Sequence, residues 1–271
     1  MSSKNEVHET DEHLEQRWFL IELEEAIVAL DEHKLDATRL KNFNVNLCRL
    51  SLDQNSELKP RFFTPRPNLP QPSDEILNRA CSVADPKECF EDPYSRAHAM
   101  HDDWNSYAFH QVRDDYDGPW RSKEPIDYTP YKSVYQFGAV WNGIPSFGAF
   151  RMMDSAGKKF PHFKAVVFND LEAENNTCFR GELLISLRIM LGQLRKVRLV
   201  HHQIAPGILQ VLLMSLAGLH ARLLECYYDE KSKSLMMRSS DLYELSNKTS
   251  ISEAFMALTK YFLGDPVGTT I

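Results

Sequence analysis

Few residues in this chain are typed and spaced for chemistry. If residues 95–110 (SRAHAMHDDWNSYAFH) form a helix, His98, His101 and Asp102 fall at steps of three and four on one face. Two imidazoles and a carboxylate so disposed can hold a divalent metal; the plainer alternative is an exposed polar helix or loop. Glu225 is the second notable group. Alternation along residues 222–228 puts it mid-strand, on the side of Leu223 and Tyr227, where an acid calls for an explanation. His201 and His202 are adjacent, so on a strand or turn they point apart and read as loop histidines. His220 and Arg222 suit an anion or, more simply, a salt bridge to a local acid. There is no Gly-x-Ser-x-Gly elbow and no cysteine with an evident basic partner, so nucleophilic catalysis has no sequence signal.

The elements that must position these groups are clearest between residues 180 and 263. Leu183, Leu184, Leu187, Met190, Leu191 and Leu194 have helical spacing, predicting a helix over 182–197 with one buried side. Arg188, Arg195 and Lys196 lie off that stripe, the last two suiting the helix C-terminal dipole. A polar turn at 201–203 leads to the apolar run 208–216, short enough for a strand buried on both faces. Strands follow at 222–228 and 235–239, joined by a charged turn at 229–234. Residues 252–263 return to helical spacing, with Ser250 or Ser252 as cap and Gly264 with Pro266 as terminator. Residues 163–169 (FKAVVFN) read as one more strand, giving helix, three- or four-stranded mostly antiparallel sheet, helix.

Upstream, residues 12–33 read as one helix with a wide apolar side, which needs either the main domain or a partner to cover it. Residues 59–73 (KPRFFTPRPNLPQPS) contain five prolines and read as a linker or a strap over the surface. Residues 131–151 bring aromatics and glycines together, with a hairpin signal at Asn142-Gly143 and no phosphate-loop context. The expected organisation is a helical segment at 1–58, a linker at 59–73, an irregular aromatic and acidic region at 74–160, and an α+β core at 161–271.

Composition narrows the function classes. Hydrophobic residues form 43% of 271, ample for a core. No apolar run approaches the ~18 residues of a membrane span, and the polar, acidic N-terminus predicts no secretory signal or transit peptide. A net charge of −7 argues against non-specific nucleic-acid binding. The odd set Cys48, Cys81, Cys89, Cys178 and Cys226 has no ligand spacing and reads as free thiols, placing the chain in the cytosol or nucleus.

Two resemblances carry further expectations. The strings RGELL, HHQIAP, HARLLECYY and FLGDP resemble uncharacterised proteins of filamentous fungi, over roughly the C-terminal hundred residues. The element order resembles the PD-(D/E)XK nuclease-like core, whose active members hold magnesium or manganese on an acid of the first helix and acids of two strands. That resemblance implies Glu182 as the helix acid and Glu225 as a strand acid. Tyr227 stands where the family has its lysine, and residues 208–216 contain no acid, so the motif is degenerate. His101-Asp102 also resembles the dyad of metal phosphohydrolases. The leading expectation is a non-catalytic intracellular fungal protein, without a cofactor, acting through protein contacts or self-association by its N-terminal helix. The alternatives are a metal-dependent nuclease or phosphohydrolase using Glu182 and Glu225, or His98, His101 and Asp102, and a small-molecule enzyme or binding protein with an aromatic pocket near residues 131–150.

Overall fold

A computed structural model describes residues 10–85, 92–112, 119–123, 145–155, 160–194 and 209–268. The N-terminal third supplies α1 (Asp11–Val28), β1 (Lys34–Asp36), α2 (Ala37–Lys41), β2 (Val45–Arg49) and α3 (Asp74–Ala84). The middle supplies α4 (Pro93–Asn105), a π-helical turn at Ser106–Gln111, β3 (Trp120–Lys123), β4 (Phe147–Ser155) and β5 (His162–Asn169). Then come β6 (Thr177–Phe179), α5 (Arg180–Leu194), β7 (Gln210–Ala217), β8 (His220–Asp229), β9 (Ser234–Ser239), β10 (Tyr243–Glu244) and α6 (Lys248–Phe262).

The class is mixed α and β, as the α+β expectation requires, but the sheet is larger than the expected three or four strands. It has eight, in the order β2-β9-β8-β7-β5-β4-β3, with β10 continuing the edge of β8 beyond the end of β9. β2 runs parallel to β9 and β5 parallel to β7; the other pairs are antiparallel. β2 comes from the 1–58 segment expected to be helical, and β3 and β4 from the region read as irregular. The sheet therefore draws on segments well outside residues 161–271.

Strand alternation sorts the core into two layers. Phe163, Ala165 and Val167 face α5 and α1, whereas Val166 and Phe168 face α3, α4 and α6. The expected single buried side of α5 is incomplete. Glu182, Ser186 and Gln193 are buried polar groups bonded to Arg222, Cys226 and Asp154 of the sheet, and Arg188 is buried because α1 lies across what would have been the solvent face. Arg188 pairs there with Glu24 of α1 at 2.6 Å, both side chains nearly inaccessible.

The ends of these elements follow local chemistry. The Thr10 hydroxyl accepts from the His13 N–H at the start of α1. α6 begins at Asn247, whose side chain accepts from the Thr249 and Ser250 N–H groups while Ser250 answers the Asn247 N–H; Ser250 completes the capping box rather than starting the helix. Gly264 follows α6 where a Cβ would lie 1.8 Å from the Thr64 carbonyl oxygen, so only glycine fits against the strap there. The strap at 59–73 is docked: Thr64 N–H donates to the Asp265 carbonyl, Arg66 N–H to the Lys260 carbonyl, and Val267 N–H to the Phe62 carbonyl.

Candidate functional site

Glu182 stands in the first turn of α5 and Glu225 in the middle of β8, both fully buried. Glu182 accepts from Arg222 through both carboxylate oxygens, Nε at 2.9 Å and Nη2 at 2.6 Å, and from the Phe179 N–H at 2.8 Å. Arg222 Nη1 also donates to the Thr177 carbonyl at 2.8 Å. This two-toothed pair lies on the α5 side of the sheet, so Arg222 takes the salt-bridge use expected for it.

Glu225 points the other way, into the layer beneath the strap. One carboxylate oxygen accepts the Arg61 and Phe62 N–H groups at 2.7 and 3.0 Å, and the other pairs with Arg238. Arg238 donates onward to the Leu58 and Lys59 carbonyls at 2.7 and 3.1 Å. Burial pushes the Glu225 carboxyl above its usual range, while the two N–H groups and Arg238 pull against that. The structure thus places Glu182 and Glu225 on opposite faces of one sheet, each on its own arginine, and does not bring them to a common centre.

His98, His101 and Asp102 do share the helix face expected of them, on α4. Asp102 lies 3.5 Å from His98 Nδ1 and 3.4 Å from His101 Nδ1, so one carboxylate serves two rings. His101 is stacked on Phe150 with centroids 4.6 Å apart, and His98 meets the same ring edge-on at 5.3 Å. Burial lowers the His101 pKa, and the bond from His101 lowers that of Asp102. The two rings therefore form part of an aromatic wall with Tyr94 and Phe168. Among the described residues no group of three or more His, Cys, Asp or Glu is arranged to hold a metal. His201, His202 and the Asn142-Gly143 turn lie outside the described residues, as does most of the 131–150 segment.

The most unusual group was not singled out from the sequence. Lys164, in β5, is fully buried; its Nζ donates to the carbonyls of Phe262 at 2.9 Å and Gly264 at 2.5 Å, with Tyr261 at 3.4 Å. The same ammonium lies 3.8 Å from the Trp120 ring centroid and 5.3 Å from that of Phe63. Burial pushes its pKa well down. The carbonyls at the negative end of α6 and the two ring faces favour the cation and oppose that shift. A charge inside the apolar run FKAVVFN was the available signal, of the same kind that marked Glu225.

α1 settles where its apolar side goes. Leu20, Leu23 and Ile27 pack into the layer containing α5, a contact within the chain. Its outer face keeps Trp18, 59% exposed, and Val28, 47% exposed, with Glu15, Glu22 and Glu25 beside them. Among the described residues no helix is long and apolar enough to cross a membrane. Cys48 is exposed, Cys81 partly buried, and Cys178 and Cys226 buried, all as free thiols. The chain matches no protein-family model, no curated protein and no solved structure.

Proposed function

We propose that this chain is a non-catalytic intracellular accessory protein that works through protein contacts made by the outer face of α1. The observation that carries the reading is Trp18. A tryptophan left 59% exposed on a helix whose opposite side is firmly docked is a binding anchor rather than a core residue. Glu15, Glu22 and Glu25 lie one turn or two turns from it along the same face. A partner matched to this face has an apolar pocket with a basic rim. Glu15 is paired with Lys233 of the same chain, so two copies would set Glu22 and Glu25 against their equivalents, and the charge pattern favours a different protein over self-association. Glu182 and Glu225 fit a non-catalytic role, since each is paired with a buried arginine. The nuclease-like alternative would need the two carboxylates on one side of the sheet.

The test is a Trp18→benzoylphenylalanine variant, photo-crosslinked in extract of the source organism, beside a Glu75→benzoylphenylalanine control on α3. An adduct specific to position 18 and lost on Glu22→Arg with Glu25→Arg is the expected result. No adduct at position 18, or one indifferent to charge reversal, would refute the reading. An adduct of the chain with itself would assign self-association instead.

A further inference from the structure

The strap is tied to α6 at two places and stands off it between them. The Arg66 N–H donates to the Lys260 carbonyl at 2.7 Å, and the Ser252 hydroxyl donates to the Gln71 side-chain oxygen at 3.0 Å. Between these ties the backbone turns at Asn68, which holds a left-handed φ of 55°. A groove of about 460 Å³ is left there, within the range of ~300–1,000 Å³ usual for small-molecule sites. Asn68 and Leu69 form one wall, a stripe of α6 forms the other, and Tyr243 of β10 completes the lining. No residue of α1 takes part, so the groove is separate from the face proposed for a partner.

The α6 stripe is Glu253, Met256, Ala257 and Lys260, spaced i, i+3, i+4 and i+7 and so stacked along one side of the helix. That side differs from the one through which Ile251, Phe255 and Leu258 enter the core. Leu69, Tyr243 and Met256 pack against the same core while staying partly exposed, which gives the groove an apolar floor. Its two ends carry opposite charges. Glu253 is exposed and Lys260 half-buried, and the helical rise separates them by about 10.5 Å. Among the described residues neither is in an ion pair, and the Tyr243 hydroxyl makes no hydrogen bond. The exposed Arg49 and Lys233, by contrast, are each paired with a carboxylate of this chain. Burial, with Asp241 and Glu253 nearby, pushes the Tyr243 phenol up, so it stands in the groove as a neutral donor.

We propose that this groove binds a short free peptide, its ammonium on Glu253, its carboxylate on Lys260, and an apolar side chain between Leu69 and Met256. An extended chain rises ~3.3 Å per residue, so the termini of a peptide of about three residues match the spacing of the two charges. A ligand with a single charge would leave either Glu253 or Lys260 unanswered. Tyr243 supplies a donor for a peptide carbonyl between the termini. The two strap ties stand at the ends of the groove, which suits a ligand that ends there rather than a chain that continues.

Met256 gives a readout inside the site, because it lines the groove and is partly exposed. In the full-length chain carrying methyl-labelled methionine, its NMR signal is identified by its loss in Met256→Leu. The tripeptide Ala-Leu-Ala is titrated, beside its N-acetylated, C-amidated and doubly capped forms and triglycine. The expected result is a saturable shift of the Met256 signal by Ala-Leu-Ala, while those of the buried Met152 and Met214 stay fixed. Glu253→Gln and Lys260→Gln should each weaken that binding about fivefold, the size of one solvent-accessible ion pair. Glu253→Gln should then make no difference to the acetylated peptide, and Lys260→Gln none to the amidated one. Triglycine, without the apolar side chain, should bind at least about fivefold more weakly. No saturable shift up to about 10 mM peptide overturns the proposal. So does binding indifferent to both substitutions, to capping of both termini, or to the loss of the leucine side chain.

Discussion

Glu182→Gln is the most informative single perturbation of this protein, because it separates a structural carboxylate from a ligand. The change keeps an oxygen able to accept the Phe179 N–H but removes the charge that faces Arg222 across bonds of 2.6 and 2.9 Å. Both side chains are essentially inaccessible, so solvent cannot neutralise the guanidinium left behind. Breaking a buried pair from one side costs about 3–5 kcal/mol. That is a large part of the ~5–15 kcal/mol total stability of a typical domain. Arg222→Met should cost a similar amount, since it strands the carboxylate and empties the Thr177 carbonyl. The double variant removes both charges and should be destabilised by at least ~2 kcal/mol less than the sum of the singles. Urea unfolding of the four full-length proteins measures all three differences, with equal slopes confirming that the midpoints compare like with like. A carboxylate awaiting a metal behaves in the opposite way: neutralising it relieves repulsion and leaves stability unchanged or raised. A Glu182→Gln cost below ~1 kcal/mol, or strict additivity in the double variant, would refute the structural reading.

Four further outcomes follow from the same geometry. His162 is buried and its pKa is lowered to about 3, so between there and the unfolded value of ~6.5 the unfolded chain binds more protons. Stability is then lost as pH falls through that window, by ~1.4 kcal/mol per pH unit from this residue, and His162→Gln should flatten the pH profile of urea midpoints by that slope. His101 contributes with the same sign, so the variant keeps a residual slope. Gly264→Ala should cost about 3 kcal/mol or more in a thermal melt, because the new Cβ would lie 1.8 Å from backbone; an unchanged melting temperature would contradict the close strap contact. Lys164→Met leaves the buried carbonyls of Phe262 and Gly264 without their donor and should cost about 3 kcal/mol, with faster amide exchange in the last turn of α6 as the local check. Manganese titrated calorimetrically into wild type, Glu182→Ala and Glu225→Ala should give no binding that both variants abolish, since the carboxylates face opposite ways; loss in both would restore a shared metal site.

What could be read in the sequence was local, and what could not was the pairing of distant segments. The strands β7, β8 and β9 announce themselves because each is a run of apolar residues bounded by charged or glycine turns. β2 has five residues, VNLCR, and gains its place only by lying parallel to β9, far along the chain. Nothing within the segment records that partner. The same holds for β3, whose four residues pair with β4 across an interval of more than twenty. α5 was legible as a helix but not as a buried one, because the cover over Arg188 comes from Glu24 in α1. Among the site residues, the His98, His101 and Asp102 spacing held, since i, i+3 and i+4 neighbours are fixed by the helix itself. The partners of Glu182 and Glu225 were not legible, as Arg222 and Arg238 reach them through tertiary packing. An acid in an apolar run says that a partner exists without saying which one.

The buried charges share a placement that explains why they persist in a core that hydrophobic residues could fill. Each one fastens a peripheral segment to the sheet or its helices. Glu24 with Arg188 ties α1 to α5. Arg222 on Glu182 reaches the Thr177 carbonyl and ties down the start of β6. Arg238 on Glu225 holds the Leu58 and Lys59 carbonyls while Glu225 takes the Arg61 and Phe62 N–H groups, so the strap is read along its backbone. Lys164 gathers the carbonyls at the end of α6. Apolar contacts alone would bury these segments as well, but such contacts are non-directional and tolerate a slip along the chain. Hydrogen bonds to charged groups do not tolerate it, because a one-residue shift would leave an ion buried and unpaired at a cost of several kcal/mol. The proline-rich strap has few side chains able to set its own register, and this is where the densest set of charge-to-backbone bonds is found. On this reasoning the ion pairs specify where the outlying segments dock, and the apolar layers supply the stability that keeps them there.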